Sequence, residues 1–286
     1  MKQWPLFALL ALSACDSETG LTIDPGDNDL DSEALDTTID VIDGDAPIAL
    51  CTVDKNPVQP PFETATFDGS ASYDPSGGTI EGYEWALVAA PNGNGVALSS
   101  RSGATTSLTP QLAGTYRVEL TVINNLGIRS EEACAIELQA NPDEDLWVEM
   151  FWSHSGDDMD LHLLRPGGSL ESGNDCFWEN CTPDMAWFFP LDWGVQGVTE
   201  DNPTLDLDDI SGVGPENINI SDPEAGAYTV VVHDFPGSVR DAATSVTVNI
   251  YLGGEQVWTD TRSISGEDSY TNFASVNPTT GVVNPM

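Results

Sequence analysis

Two acidic runs hold the residues of this 286-residue chain whose types and spacing suit chemistry. The first is Asp158-Met159-Asp160-Leu161-His162. In an extended strand successive side chains alternate faces, so Asp158, Asp160 and His162 share one face, and Met159, Leu161 and Leu163 take the other. Carboxylates on one face repel and raise each other's pKa unless a cation or an Arg compensates. The second run, Asp201 to Asp209, contains Asp206, Asp208 and Asp209 and is followed by Gly212 and Gly214. Alternation turns Leu205 and Leu207 inward and Asp206 and Asp208 outward. The glycines permit the tight backbone path of calcium loops, where carbonyl oxygens join carboxylates as ligands. Oxygen donors without Cys suit calcium better than zinc. The expected metal ligands are therefore Asp158, Asp160, Asp206, Asp208 and Asp209, with calcium as the cofactor. The competing reading is a solvated face of a very acidic protein.

Catalytic signatures are missing. His154, His162 and His233 are the only histidines, no HExxH or HxxEH pattern contains them, and they fall on separate strands or loops, so they read as structural. There is no GxSxG elbow and no papain-type Cys setting. Nothing selects a carboxylate pair for glycoside hydrolysis. An exposed cleft joining His162 or His233 to two acidic side chains would mark an enzyme; closed acidic loops on a flat surface would mark a binding module. The segment from Cys176 to Gly194 is dense in aromatics. Such side chains on a stiffened loop can stack on sugar rings or anchor a protein, which makes Trp178, Trp187 and Trp193 the expected ligand contacts. The competing reading is that most of them fold back as a satellite core.

The elements that must position these residues are strands. Val118, Leu120 and Val122 alternate with Glu119 and Thr121, and no helical period intervenes. Further strands are read at Leu146 to Trp152, Met159 to Leu164, Ala227 to His233 and Ser245 to Tyr251. The last runs into a Gly253-Gly254 turn expected to close a hairpin. The expected fold class is all-β, with two β-sandwich domains at 46–141 and 142–286.

Composition excludes one partner class. With 47 acidic and 8 basic residues the formal charge is −39. Nucleic acid, which needs clustered Lys and Arg, is ruled out as a partner. Residues 16–45 carry no Lys, Arg or aromatic residue and read as a disordered acidic tether. Before them, Lys2, the apolar run Trp4 to Leu12 and Leu12-Ser13-Ala14-Cys15 resemble the bacterial lipoprotein signal and lipobox, with 1–15 as the signal segment. The resemblance implies lipidation at Cys15 and a lipid-anchored place in the bacterial cell envelope; the outer membrane or cell surface is preferred to the inner membrane, with the choice left open. Cys51, Cys134, Cys176 and Cys181 remain, an even number for an exported protein. They allow three connectivities. Cys51 with Cys134 and Cys176 with Cys181 keep each bridge within one domain, and their spacing fits no usual zinc pattern.

Two family resemblances follow. Asp68-Gly69-Ser70-Ala71-Ser72-Tyr73-Asp74-Pro75, Tyr83-Glu84-Trp85 and Gly114-Thr115-Tyr116-Arg117-Val118-Glu119-Leu120-Thr121-Val122 closely resemble the PKD domain, an immunoglobulin-like sandwich. That implies a buried Trp85 and a non-catalytic spacer or binding module. Asp68 and Asp74 read as turn caps; with Glu84 they are the alternative cation site. Asp158-x-Asp160-Leu161-His162, Pro166-Gly167, Gly226 to Val232 and Ile250 to Gly254 resemble exported β-sandwich domains of the DUF2135 (YfaP-like) kind, of jelly-roll type. The function expected from these readings is a non-catalytic envelope lipoprotein that binds a carbohydrate or surface protein, steadied by calcium. The alternative is a polysaccharide- or peptide-acting hydrolase or its accessory module.

Overall fold

The computed structural model describes residues 45–91, 95–186, 190–210, 212–237 and 242–286. The lipobox with Cys15, nearly all of the tether, and Trp187 lie outside the described residues. Gly44–Met286 forms one compact unit. It holds two β-sandwiches, each with its own apolar core.

In the first sandwich β1 (Thr52–Val53), β2 (Ala65–Asp68) and β4 (Thr105–Leu108) form one sheet, and β3 (Ile80–Ala89), β5 (Gly114–Asn124) and β6 (Cys134–Ala140) the other. Every pairing is antiparallel. The alternation along β5 buries Tyr116, Val118, Leu120 and Val122 against Phe67, Trp85 and Leu138. Each such side chain contributes roughly 1.5–3 kcal/mol of hydrophobic burial. The Tyr116 hydroxyl donates to the Leu112 carbonyl (2.9 Å) and accepts from the Leu112 N–H (3.3 Å). A buried phenol is satisfied in this way without leaving the core. Gly69 is dictated by close approach, since a Cβ there would sit 2.4 Å from Leu120 Cδ2. Asp68 accepts the Ser70 N–H and Asp74 the Ser76 N–H, both at 2.8 Å, as turn caps. Glu84 pairs with Arg129. The Cys51–Cys134 bridge closes the sandwich.

The second sandwich has two five-stranded sheets. One runs β10 (Thr204–Leu207), β11 (Glu216–Ile220), β7 (Leu146–Trp152), β13 (Thr244–Leu252), β14 (Glu255–Ile264). The other runs β16 (Val282–Pro285), β15 (Ser269–Asn277), β12 (Tyr228–Asp234), β8 (Met159–Leu164), β9 (Asp175–Cys176). The β13–β14 hairpin turns at Gly253 and Gly254, both at positive φ.

Strand β7 departs from simple alternation, because both its faces are covered. Leu146, Val148, Met150 and Trp152 enter the core. Trp147 and Glu149 face the other way, and Trp147 packs with Ala113 of the first sandwich and with Tyr251. The Glu149 carboxylate is 1% exposed. It accepts hydrogen bonds from the Ala113 N–H (3.0 Å), Trp147 Nε1 (3.4 Å), Asn249 Nδ2 (3.0 Å) and the Tyr251 hydroxyl (3.0 Å). Burial raises its pKa against the pull of these donors. Glu149→Ala removes the common acceptor of four donors. Stability should fall by roughly 2–5 kcal/mol, the range for breaking a buried charged network. Urea denaturation of the full chain measures this, and an unchanged midpoint would refute it.

Candidate functional site

The antiparallel pairing of β8 with β12 sets His233 opposite Asp160 and Val231 opposite His162. Leu161, Leu163, Val230 and Val232 fill the core from these strands. Asp160, His162 and His233 therefore project together from the opposite face. Strand β9 reaches only Leu163 and Leu164 of β8, so the earlier part of β8 is an edge on that side. There the Glu216 carboxylate, at the start of β11 in the other sheet, accepts the Leu161 N–H at 2.7 Å. An otherwise orphaned edge amide is thus satisfied across an open corner of the sandwich.

Carboxylate oxygens of Asp160, Asp208 and Glu216 lie within 4.8 Å of one another at this corner. Asp160 is 3% and Glu216 1% exposed, and Asp160 Oδ2, Glu216 Oε1 and Asp158 Oδ1 have no hydrogen-bond partner among the described residues. Electrostatics follows from the crowding. Burial, reinforced by Asp160 and Asp208, pushes Asp158 up to about 7. Burial, then Asp160, pushes Glu216 well above the usual carboxylate range and raises Asp208 in the same way. No Lys or Arg among the described residues pairs with any of the four.

A recess of about 200 Å³ opens above the corner, lined by Asp158, Asp160, Asp208, Trp178, Ile210 and Phe235. Trp178 packs edge-on against Phe235, with ring centroids 5.8 Å apart. It stands on the short helix α1 (Trp178–Cys181), which the Cys176–Cys181 bridge fastens to β9. The same bridged segment lays Phe177 flat on His162, with centroids 5.0 Å apart and planes 11° apart.

His162 and His233 are tightly held. His162 Nδ1 is 2.8 Å from Asp175 Oδ2, and both side chains are buried. His233 stacks on Tyr270 at 4.0 Å and reaches Asp268 through Nε2 (3.3 Å) and Asp160 through Nδ1 (3.6 Å). Burial pulls the His233 pKa down, but Asp160 and Asp268 outweigh it and the pKa is raised.

The structure regroups the residues expected from sequence. Asp158, Asp160 and Asp208 come together. Asp206 does not join them: a bulge between Leu205 and Leu207 breaks the alternation expected along β10. Its carboxylate instead accepts from Asn217 and Asn219 side chains, and burial raises its pKa to about 6. Asp209 accepts the Gly212 and Gly214 N–H groups at 2.9 and 2.8 Å and so organises the turn. Of the aromatics, Trp178 lines the recess. Trp193 is corrected from ligand contact to core: it is 1% exposed and its Nε1 donates to the Gly173 carbonyl. Glu216 and the pairing of His162 with His233 are new. Glu216 had a local signal, a carboxylate opening a strand just after Gly214-Pro215. The histidine pairing depends on strand neighbours far apart in sequence and had none.

Residues 54–137 match the family model described as K319L-like, PKD domain. Solved structures give three similarities. The solution structure of the PKD domain from KIAA 1837 protein is 25% identical, covering 31% of this chain and 83% of that chain at a TM-score of 0.24. A structure reported on the promiscuous specificity of carbohydrate-binding modules from the β-sandwich superfamily is 12% identical, covering 80% and 84% at 0.27. The endo-fucoidan hydrolase MfFcnA9 from glycoside hydrolase family 107 is 15% identical, covering 78% of this chain but 34% of that chain, at 0.25. No curated protein matches. The family match places a PKD domain at residues 54–137, the segment that holds the Asp68-to-Pro75 turn, the buried Trp85 and strand β5.

Proposed function

We propose that this chain is a non-catalytic lipoprotein of the bacterial cell envelope, anchored through Cys15, in which the PKD domain carries a DUF2135-like sandwich that binds a carbohydrate or a surface protein. The observation that carries the binding reading is the recess itself, an acidic floor of Asp158, Asp160 and Asp208 under a rim of Trp178, Ile210 and Phe235. Calcium at the floor would steady it. Two oxygens bonded to one calcium at 2.3–2.6 Å can stand at most about 5 Å apart, which suits the spread of Asp160, Asp208 and Glu216. Magnesium, with bonds near 2.1 Å, demands a tighter set. Trp178 and Phe235 would stack on the ligand's apolar face.

The second reading, a hydrolase, is favoured by one observation, the convergence of His162 and His233 on Asp160. It needs substrate to reach rings that are 1% and 5% exposed. Turnover of polysaccharide or peptide substrates that is lost in His233→Gln would replace the binding reading.

Calcium at a hundredfold excess over Kd should stabilise the full chain by about 2.7 kcal/mol. Chelation should therefore lower its Tm by several degrees. Asp208→Asn combined with Glu216→Gln should abolish the response, and Asp206→Asn should preserve it. Calorimetry at matched ionic strength decides this; superimposable transitions with calcium and with chelator would remove calcium from the account. Cys15→Ala should release the chain from membranes or leave its signal uncleaved. Unchanged fractionation and processing would sink the lipoprotein reading.

A further inference from the structure

We propose that His162 Nε2, His233 Nδ1 and an oxygen of Asp160 form a second metal site, for a transition-metal dication of the zinc class. It shares Asp160 with the all-carboxylate corner but differs from it in donor chemistry, and it is inferred without recourse to calcium binding there.

The first support is convergence. The three side chains leave one face of two paired strands, and their donor atoms all lie within 4.8 Å of one another. His233 Nδ1 and Asp160 Oδ2 are already 3.6 Å apart. Ligands bonded at 2.0–2.2 Å in a tetrahedral site stand about 3.4 Å apart, so small side-chain rotations complete the set.

The second support is an orphaned atom. His162 is 1% exposed, and its Nε2 has no hydrogen-bond partner among the described residues. Its other nitrogen faces Asp175 Oδ2 at 2.8 Å. Asp175 Oδ2 also accepts the Glu171 N–H at 2.8 Å, so that carboxylate is held in place. A ring that donates from Nδ1 to a carboxylate keeps a lone pair on Nε2, which leaves Nε2 as the nitrogen free to join Asp160 and His233. Asp160 Oδ2 is a second buried atom without a hydrogen-bond partner among the described residues.

The third support is the outer layer. His233 repeats the arrangement, with Nε2 on Asp268 and Nδ1 turned to Asp160. A carboxylate behind each histidine fixes the tautomer and raises the basicity of the ligating nitrogen, as is usual around metal-bound imidazoles. Phe177 and Tyr270 clamp the two rings by stacking. Imidazole nitrogens select zinc-class ions over calcium. A simpler arrangement, protonated His233 bridging Asp160 and Asp268, would satisfy that ring but leave His162 Nε2 orphaned.

The test uses the full chain, stripped with chelator and titrated with Zn²⁺ and Co²⁺ in a large excess of calcium. One equivalent should bind. Co²⁺ should give visible absorption bands, and Zn²⁺ should shift the imidazole nitrogen resonances of His162 and His233 in the unmutated chain. His162→Gln and His233→Gln should each remove stoichiometric binding. Asp175→Asn, a positioning change, should weaken it about 10–100-fold. Asp208→Asn with Glu216→Gln should spare zinc while abolishing any calcium response, which separates this site from the calcium reading. Absence of zinc binding to the unmutated chain would overturn the proposal. So would zinc binding that leaves both imidazoles unshifted, or that folded histidine variants retain.

Discussion

The antiparallel register between β8 and β12 governs what the second sandwich can present. Leu161, Leu163, Val230 and Val232 are fully buried, and their burial holds the two strands at one setting. Side chains alternate along a strand, so Asp160, His162 and His233 must then share the opposite face. A slip of one residue would drive Asp160 and His162 into the apolar core and lift Leu161 beneath Phe177. Polar groups are thus held at distances their own repulsion opposes. The force that holds them is hydrophobic and lies on the other side of the sheet.

Charge has a different meaning at different places in this chain. Most of its 47 acidic residues cannot find a basic partner, since there are only 8. On exposed strands water and salt screen the excess, and pairs such as Lys55–Glu63 and Arg117–Glu119 contribute little. Glu149 shows a second solution, a buried carboxylate surrounded by four donors. The corner at Asp158, Asp160, Asp208 and Glu216 follows neither pattern. It is crowded and short of donors, with Asp160 and Glu216 buried beneath an exposed Asp208, and those pKa values rise.

The β5 alternation, the Asp68 and Asp74 turns, the Gly253-Gly254 hairpin and both disulfides were legible in the sequence, because each is written in local spacing or in residue types with narrow conformational uses. So was the shared face of Asp160 and His162. Asp206 was misplaced because one bulge, invisible in the pattern Leu-Asp-Leu-Asp, changes the parity of every side chain after it. Glu216 was missed as a site member, and His233 was not placed beside His162, for another reason. Their neighbours come from strand order within and between sheets, which periodicity does not encode. Trp193 illustrates a third limit: composition marked it as a contact residue, yet the Gly173 carbonyl satisfies its indole N–H inside the core.

The Ala113 N–H that reaches Glu149 bears on what could stand in place of the first sandwich. The partner group is a backbone amide, which every residue except proline supplies, so the first sandwich can vary widely in side chains without losing the joint. Its backbone path cannot vary in the same way. A foreign domain grafted before β7 must bring an amide to the same point in space, or leave a carboxylate oxygen short of a donor beneath it. A domain joined at this boundary is therefore constrained in loop geometry and free in sequence.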